Sequence, residues 1–371
     1  MKIAVLGSGS GGFMCAADLS LRGHEVRFYS RTGERFKPVI EKGGIKLIGK
    51  EDELPGKFAK ISLLTTDIKE AISGADLILN PLPFFGVQTY AKLVAPHIED
   101  GQTLVYLGKG GGAIEYFRVF KEQGVDKEVY LGDTNTLPYG ASYMGENVVR
   151  LESRVWELIT TAFPGKNTDK IVRMMKEAYP MYSIRKAQSP LETVLVDYNA
   201  ITHPPPMLCN AGRIESGDKN FRLFGKDALT PAVVRLTQAV DRERMALSKA
   251  LGIRAYTLEE EILHVRWNPH GEDYVLSLYE AIHTPFLEMC EGPFKLETRH
   301  LLEDVPYGLV TFSSLGDMFG VPTPVIDAEI TLAEALLGRG FRGIGRTVEK
   351  MGINPAWDLQ TLNRYLHEGK I

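Results

Sequence analysis

The chain length of 371 residues predicts two domains, because a domain usually has about 150 residues. Hydrophobic residues make up 44% and charged residues 24%, which are proportions that exclude a disordered chain or a membrane protein. The formal net charge of -4 argues against a general nucleic-acid binder and favours a small-molecule partner.

The first half of the chain alternates strand-like and helix-like segments. Over residues 2–180 this alternation predicts βαβ units and a parallel sheet with right-handed crossovers. The predicted strands are 2–6, 25–29, 61–65, 75–79 and 103–107, and the predicted helices are 11–22, 68–73 and 87–94. We therefore predict an α/β fold class, with a doubly wound Rossmann domain over residues 1–182.

A glycine-rich turn follows the first predicted strand and opens the first predicted helix. It fits the pattern G-x-G-x-x-G and consists of Gly7, Ser8, Gly9, Ser10, Gly11 and Gly12. Gly7 allows the tight turn, Gly9 lets the backbone approach a pyrophosphate, and Gly12 lets helix and strand pack closely. This context predicts dinucleotide binding, although glycine-rich turns also occur as plain structural turns.

The end of the second predicted strand indicates which dinucleotide binds. An acidic residue there would hold the ribose hydroxyls of NAD, but the stretch Phe28-Tyr29-Ser30-Arg31 contains none. Ser30 and Arg31, with Arg35 in the following loop, offer donors to a 2′-phosphate instead. We expect NADP(H), with NAD(H) left open. The alternative is that both arginines are solvated loop charges.

Two stretches just past predicted strand ends are expected to complete the floor of the cofactor site, because ligands gather at the carboxyl ends of parallel strands. They are Asn80-Pro81-Leu82-Pro83 and Gly108-Lys109-Gly110-Gly111-Gly112. Pro81 and Leu82 are thus predicted cofactor contacts. Lys109 offers a cation for a substrate oxygen, although a lysine in a loop is ordinarily exposed and solvated.

The second half of the chain shows helical periodicity and few β-branched runs, so we predict a mostly α-helical substrate domain over residues 183–371. Its first helix begins after Ser189, which can cap it, and ends near His203, because three consecutive prolines follow. Further helices are predicted at 231–251, 257–265, 273–283 and 324–337.

One of the eight histidines stands out as a candidate proton donor. Reduction of a carbonyl or imine needs such a donor, and histidine is the usual residue. His203 is fixed at a predicted helix end before the proline run and is followed by Asn210. A histidine that merely caps the helix is the alternative that spacing leaves open.

Several ordered segments carry a family resemblance. They are 203–212, 299–309 and 320–324 with Asp327, and 136–139 adds a Thr-Leu-Pro-Tyr stretch. The first two are similar to the signatures H-P-x-x-x-L-x-N-x-G and R-x-x-x-x-D-V-P-Y-G-L of the octopine/nopaline (opine) dehydrogenase family. The similarity covers most of the chain. Residues 140–142, Gly-Ala-Ser, depart from the family, which often has an arginine shortly after its Leu-Pro-Tyr.

The resemblance implies an NAD(P)-dependent dehydrogenase that acts on CH-NH groups. A 2-oxo acid condenses with the amine of an amino acid, and the resulting imine is reduced. By this resemblance His203 is the general acid/base and Asp304 orients its ring, while Arg299, Asn210 and Tyr139 bind substrate. The residues alone leave open that Asp304 caps a turn and that Arg299 is a solvated helix charge.

Two rival functions remain open from the sequence. A reductase of the glycerol-3-phosphate or ketopantoate type shares the N-terminal half and can use a lysine near Lys109. A non-catalytic dinucleotide sensor would close on NADP(H) without turnover and would need neither His203 nor Asp304.

Cysteine usage and the N-terminus complete the expectations about environment and partners. The three cysteines are odd in number and lack C-x-x-C spacing, so they predict neither a disulfide framework nor a metal site. The first apolar run breaks at Gly7 and is too short for a signal peptide, so we expect a cytoplasmic protein without a membrane partner. Helix pairs near the C-terminus suggest faces for a homodimer, although a long apolar helix such as 324–337 is ordinarily core.

Overall fold

The computed structural model describes residues 1–49, 54, 56–262, 277–283 and 291–371. The chain packs into two compact units. Unit 1 comprises Met1–Thr193 together with Asn363–Ile371, and unit 2 comprises Val194–Leu362. Unit 1 thus continues past residue 182, where the sequence places the domain boundary, and takes in the last residues of the chain.

The described β-strands lie in unit 1 and form two sheets. In chain order they are β1 (Lys2–Leu6), β2 (Glu25–Tyr29), β3 (Ile45–Ile48), β4 (Phe58–Ala59), β5 (Leu63–Thr65), β6 (Leu77–Asn80), β7 (Thr103–Leu107), β8 (Tyr130–Thr134), β9 (Tyr139–Tyr143), β10 (Val148–Arg154), β11 (Glu157–Ala162) and β12 (Ser183–Lys186). Eight strands form the main sheet in the order β12-β11-β8-β7-β6-β1-β2-β5. The other four form a second sheet in the order β4-β3-β10-β9.

The main sheet is parallel except where β8 meets β11. Its central strands β6 and β7 are buried along their whole length, as expected for strands that are covered on both faces. β1 lies between β2 and β6, so the direction of strand order reverses there. Ligands of open α/β sheets bind outside the carboxyl ends of the strands at such a switch point. The topology therefore singles out the ends of β1 and β6.

The predicted elements of the first half are confirmed. The helices of this part are α1 (Ser10–Leu21), α2 (Lys37–Lys42), α3 (Ile68–Ile72), α4 (Val87–Val94), α5 (Gly112–Glu122) and α6 (Thr168–Ala178). β1, β2, β7 and α4 have the predicted bounds, and the other predicted elements differ from the structure by one or two residues at an end. Long apolar runs and strong periodicity made these elements visible in the sequence.

The second sheet was not predicted. β4 has only two residues, and β9 reads YGASY, which is not an apolar run. β3 pairs in parallel with β10, and β10 pairs antiparallel with β9. The pairing of β3 with β10 joins segments that are far apart in the chain, and a local pattern carries no signal for it.

The remaining part of the chain is helical. Its helices are α7 (Pro190–Leu195), α8 (Asn199–Thr202), α9 (Pro204–Cys209), α10 (Ala211–Glu215), α11 (Pro231–Ala250), α12 (Leu258–Glu260), α13 (Leu278–Ile282), α14 (Arg299–Leu302), α15 (Val310–Phe319), α16 (Pro324–Leu337), α17 (Phe341–Ile344) and α18 (Leu359–Glu368). A π-helical turn, Val305–Leu309, precedes α15. Within the described residues, no helix combines the length and the apolarity needed to cross a bilayer.

The helix predicted to run from Ser189 to His203 needs correction. It is two helices, α7 and α8, and the three prolines begin α9 instead of ending the helical path. The first N-H groups of a helix have no intrahelical partner, so prolines at these positions forfeit no hydrogen bond. His203 is the N-cap residue of α9, and its carbonyl accepts from the Met207 N-H at 3.2 Å.

Two longer helix predictions are confirmed, and two are only partly covered. Those at 231–251 and 324–337 correspond to α11 and α16. Residues 263–265 and 273–276 of the other two predictions lie outside the described residues, and the described parts contain α12 and α13.

Candidate active site

The glycine-rich turn joins β1 to α1, and steric requirements explain why glycines occupy two of its positions. Gly7 has a φ of +101°, and its N-H donates to the Tyr29 carbonyl at 2.9 Å. A Cβ on Gly12 would lie 1.7 Å from the Gly7 carbonyl oxygen, so a side chain there would separate α1 from β1. A Cβ on Gly9 would meet no described atom within 4 Å. The backbone at Gly9 therefore borders open space.

The start of α1 suits an anion. Gly9 is the N-cap residue, no described side chain caps the helix, and its first turn carries no acidic residue. Uncapped N-H groups and the positive end of the helix dipole favour a phosphate there. Leu82 and Pro81 pack on the turn, because a Cβ on Gly7 would strike Leu82 and one on Gly11 would lie 3.2 Å from the Pro81 carbonyl oxygen. These residues fit the pyrophosphate of a dinucleotide.

Ser8, Ser30 and Arg35 lie together beyond the end of β2. The hydroxyls of Ser8 and Ser30 are 2.8 Å apart, and the Gly33 N-H donates to Ser30 Oγ at 3.3 Å. The Arg35 guanidinium donates to the Ser8 carbonyl at 2.8 Å and lies 4.5 Å from the centre of the Tyr143 ring. The structure thus brings two hydroxyls and one guanidinium to the place where a 2′-phosphate is expected.

Two other predicted cofactor residues take separate positions. Arg31 is exposed, and its guanidinium lies 6.0 Å from the centre of the Tyr90 ring. Ser10 accepts a hydrogen bond from the Tyr143 N-H at 3.0 Å, so its hydroxyl ties the start of α1 to β9. Arg31 thus lies at the surface beside Tyr90, whereas Ser10 contacts β9.

Lys109 is buried, and the expectation that it is solvated is wrong. Its exposed fraction is 5%, and it stands in the glycine loop between β7 and α5. Gly110 and Gly111 both have a φ of +75°, and the Gly110 N-H donates to the Thr134 carbonyl at 3.1 Å. This left-handed loop turns the chain tightly, and only glycine adopts such angles without strain.

His203 and Asp304 form a buried pair in unit 2. His203 Nδ1 lies 2.7 Å from Asp304 Oδ2, and the exposed fractions of the two side chains are 8% and 3%. The histidine stands between α8 and α9, and the aspartate immediately precedes the π-helical turn. When Nδ1-H donates to the carboxylate, Nε2 is the nitrogen left to exchange a proton with a substrate. The aspartate also fixes the orientation of the ring.

The surroundings of the pair include a second histidine that sequence reasoning missed. The ring centroid of His300 lies 4.6 Å from that of His203, at an interplanar angle of 79°. Phe224 lies on the same imidazole with its centroid 6.0 Å away. The signal in the sequence was the i, i+4 spacing of His300 and Asp304, which brings two side chains to one helical face.

Arg299 begins α14, next to His300 in the chain, and its side chain is exposed. Among the residues that the structure describes, no carboxylate forms an ion pair with it. Its positive charge is close enough to lower the pKa of His300. A guanidinium next to His300 that has no ion-pair partner in the described part of the chain can bind a carboxylate through its planar fork.

The other two predicted substrate contacts serve the protein's own packing. The Asn210 side-chain amide donates to the carbonyls of Pro206 and Ala228 at 2.9 Å and 3.1 Å, so it ties α9 to a later loop. Tyr139 lies on β9 with 3% exposed, and its hydroxyl donates to the buried Asp18 carboxylate at 3.0 Å. Because both donors are occupied by the fold, we do not carry these two residues forward as substrate contacts.

Known proteins match the chain in two parts. Residues 2–122 match the family described as NAD-dependent glycerol-3-phosphate dehydrogenase N-terminus. Residues 186–337 match NAD/NADP octopine/nopaline dehydrogenase, alpha-helical domain. An opine dehydrogenase from Arthrobacter sp. (strain 1C) is 33% identical over 356 residues, which cover 95% of each chain.

Solved structures share the fold over nearly the whole chain. An octopine dehydrogenase with NADH and pyruvate has a TM-score of 0.78 at 20% identity, covering 100% of this chain and 98% of that one. A yersinopine dehydrogenase with NADP⁺ bound has a TM-score of 0.69 at 13% identity, covering 99% and 98% of the two chains.

The chain combines the N-terminal domain of an NAD-dependent dehydrogenase with the helical domain of NAD/NADP octopine/nopaline dehydrogenases, which is the domain composition of an NAD(P)-dependent oxidoreductase. The identity to a curated relative then fixes the family, because it extends through both parts of the chain. The chain belongs to the opine dehydrogenase family, whose enzymes use NAD(P)H and act on CH-NH donors.

Proposed function

We propose that this protein condenses a 2-oxo acid with an amino acid and reduces the product with NADPH. The amine attacks the oxo carbon, water leaves, and an imine forms. Hydride is added to the imine carbon and a proton to the nitrogen, which yields a secondary amine that carries both carboxylates. The observation that carries the proposal is the 2.7 Å contact between His203 Nδ1 and Asp304 Oδ2.

Each residue of the pair has one part in this reaction. His203 Nε2 exchanges the proton with the substrate, because Nδ1 is held by the aspartate. Asp304 keeps the imidazole in the tautomer and orientation that this exchange requires. Arg299 binds a substrate carboxylate, which suits its exposed and unpaired guanidinium in the described part of the chain.

The proposed cofactor is NADP(H). Bound nicotinamide supplies the hydride, and this chain's residues supply the binding. The turn from Gly7 to Gly12 would hold the pyrophosphate, with Pro81 and Leu82 beside it. Ser8, Ser30 and Arg35 would hold the 2′-phosphate, since two hydroxyls and a guanidinium are suited to a dianion. The relatives leave this preference open, as one holds NADH and another NADP⁺.

The substrate classes rest on the structural relatives. Octopine dehydrogenase has been solved with NADH and L-arginine and with NADH and pyruvate, which are an amino acid and a 2-oxo acid. We extend both classes to this protein, because Arg299 offers a site for a carboxylate and the pair of His203 and Asp304 offers a proton donor. The family model of the glycerol-3-phosphate dehydrogenase N-terminus matches residues 2–122, a range that does not include His203.

Absorbance of NADPH at its characteristic wavelength tests the reaction against its rivals. A panel of 2-oxo acids is supplied with and without amino acids. Loss of absorbance only when both are present is expected. Loss with the 2-oxo acid alone would favour a simple reductase, and binding of NADPH without turnover under every condition would favour a sensor.

A further inference from the structure

A second imidazole stands against the proposed acid/base. The His300 and His203 rings meet edge to face, with their centroids 4.6 Å apart. His300 Nδ1 lies 3.0 Å from Thr298 Oγ1, which fixes one side of the ring. Among the described residues no side chain or backbone group pairs with Nε2, and the side chain is only partly buried.

The two imidazoles cannot both carry a charge. Burial, the positive charge of His203 and that of Arg299 lower the pKa of His300 from 6.5 to about 2, and the Asp304 carboxylate opposes this only weakly. His300 is therefore neutral at neutral pH. It does not compete with His203 for the proton that is transferred.

A neutral imidazole carries a single N-H. When Nδ1 accepts the hydrogen bond of the Thr298 hydroxyl, the hydrogen resides on Nε2. Among the residues that the structure describes, that N-H has no hydrogen-bond partner, and it belongs to a residue next in the chain to a guanidinium and against the ring of a proton donor. In an imine made from a 2-oxo acid, the carboxylate is bonded directly to the carbon beside the protonated nitrogen. A group that contacts His203 can therefore reach this carboxylate.

We propose that His300 is a substrate-binding residue whose Nε2-H donates to the 2-oxo-acid carboxylate that Arg299 also holds. This inference rests on the proposed opine reaction. It assigns to a position inside the Arg299-to-Asp304 segment a role that the family signature leaves unspecified. The neutral donor adds a directed hydrogen bond, whereas Arg299 adds the charge.

Three variants test the role of His300. His300→Phe keeps the ring volume and removes the donor, and His300→Gln places an amide N-H near the former Nε2. His367→Phe, at a side chain that is 62% exposed, is the control. With pyruvate as the probe, His300→Phe is expected to raise the KM for pyruvate roughly tenfold to a hundredfold, the usual loss for a hydrogen bond to a charged group. His300→Gln is expected to recover most of that loss, and the KM for NADPH is expected to stay constant.

An unchanged pyruvate KM in His300→Phe, or equal loss in the Phe and Gln variants, would overturn the inference. If His300→Phe has a lowered melting temperature, His300→Leu takes its place with the same expectation. The proposed reaction has its own test in His203→Ala. If that variant stays active, the reaction scheme fails and the inference fails with it. If it is inactive while His300→Phe is normal, only the role of His300 fails.

Discussion

A buried imidazole that gives one nitrogen to a carboxylate has one nitrogen left for chemistry. In His203 that atom is Nε2, because Asp304 holds Nδ1 at 2.7 Å. The neighbouring His300 cannot take over the proton, since its pKa is lowered to about 2. We therefore expect His203 Nε2 to be the atom that exchanges the proton with the substrate.

Removal of that atom should stop turnover while the cofactor still binds. His203→Ala is expected to lower kcat by about 100-fold or more, the usual contribution of a positioned general acid. Its dissociation constant for NADPH, measured by fluorescence titration, should match that of the parent. His367→Ala is the matched control and should be fully active. A kcat within a few-fold of the parent in His203→Ala would exclude the assigned role.

Cofactor choice also belongs to single residues. Ser30→Asp would place a carboxylate beside Ser8, where it repels a 2′-phosphate and accepts from ribose hydroxyls. We expect the KM for NADPH to rise roughly tenfold or more, which corresponds to about 1.4 kcal/mol, while the KM for NADH stays constant or falls. Gln360→Asp, an exposed position on α18, adds the same charge elsewhere as a control. An unaltered ratio of the two KM values would contradict the NADP(H) assignment.

At the scale of elements, β1, the glycine turn and α1 form a strand-turn-helix in which different glycines serve packing and ligand binding. At Gly12, α1 lies so close to the end of β1 that a methyl group would not fit between them. Gly9 borders open space and has a φ of -78°, which alanine adopts without strain. One glycine therefore serves the fold and the other serves the ligand.

Alanine at these two positions should give opposite results. Gly9→Ala is expected to keep the parent's melting temperature and to lose NADPH affinity, because its methyl group would occupy the space of the pyrophosphate. Gly12→Ala is expected to lower the melting temperature by several degrees or to prevent folding, since the helix must move away from β1. Melting curves and NADPH titrations of both variants decide this. Unimpaired NADPH binding in Gly9→Ala would place the pyrophosphate elsewhere.

Helix α16 carries a buried carboxyl group, that of Glu329. Glu329 is 2% exposed, and within the described residues both of its carboxylate oxygens lack a hydrogen-bond partner. Burial, with a smaller effect from the Glu243 charge, raises its pKa from 4.5 to about 8. The folded protein therefore holds this carboxyl protonated at neutral pH, whereas the unfolded chain ionises it.

This difference predicts how stability depends on pH. Well below pH 4.5 both states bind the proton and the difference in protonation costs nothing, whereas between pH 4.5 and about 8 the cost of keeping Glu329 protonated in the folded state grows with pH. Glu329→Gln is therefore expected to raise the free energy of unfolding by about 4 kcal/mol at pH 8 and by only about 1 kcal/mol at pH 5. Urea unfolding at the two pH values measures it, with exposed Glu349→Gln as control. A gain that is equal at both pH values would refute the linkage.

At the scale of the whole molecule, the sequence predicted what local patterns and short motifs encode. Five of the eight strands of the main sheet follow from apolar runs, the glycine turn from its motif and the longest helices from periodicity. The family resemblance indicated that His203 and Asp304 act together although 101 positions separate them. The second sheet and the burial of Lys109 were missed, since they depend on contacts between distant segments. The helical start at three prolines was missed because prolines were taken to end a helix, although they also fit the first turn of the next one. His300 was missed because its neighbour His203 is close only in the folded chain.

The fate of the hydride is the most direct test of the proposed reaction. NADPH that carries deuterium at its transferable C4 position is incubated with a 2-oxo acid and an amino acid, and the products are examined by mass spectrometry. We expect one deuterium in a secondary amine, on the carbon that came from the oxo group. Deuterium found instead in a 2-hydroxy acid, with the amino acid unconsumed, would contradict the imine reduction assigned to His203 and Asp304.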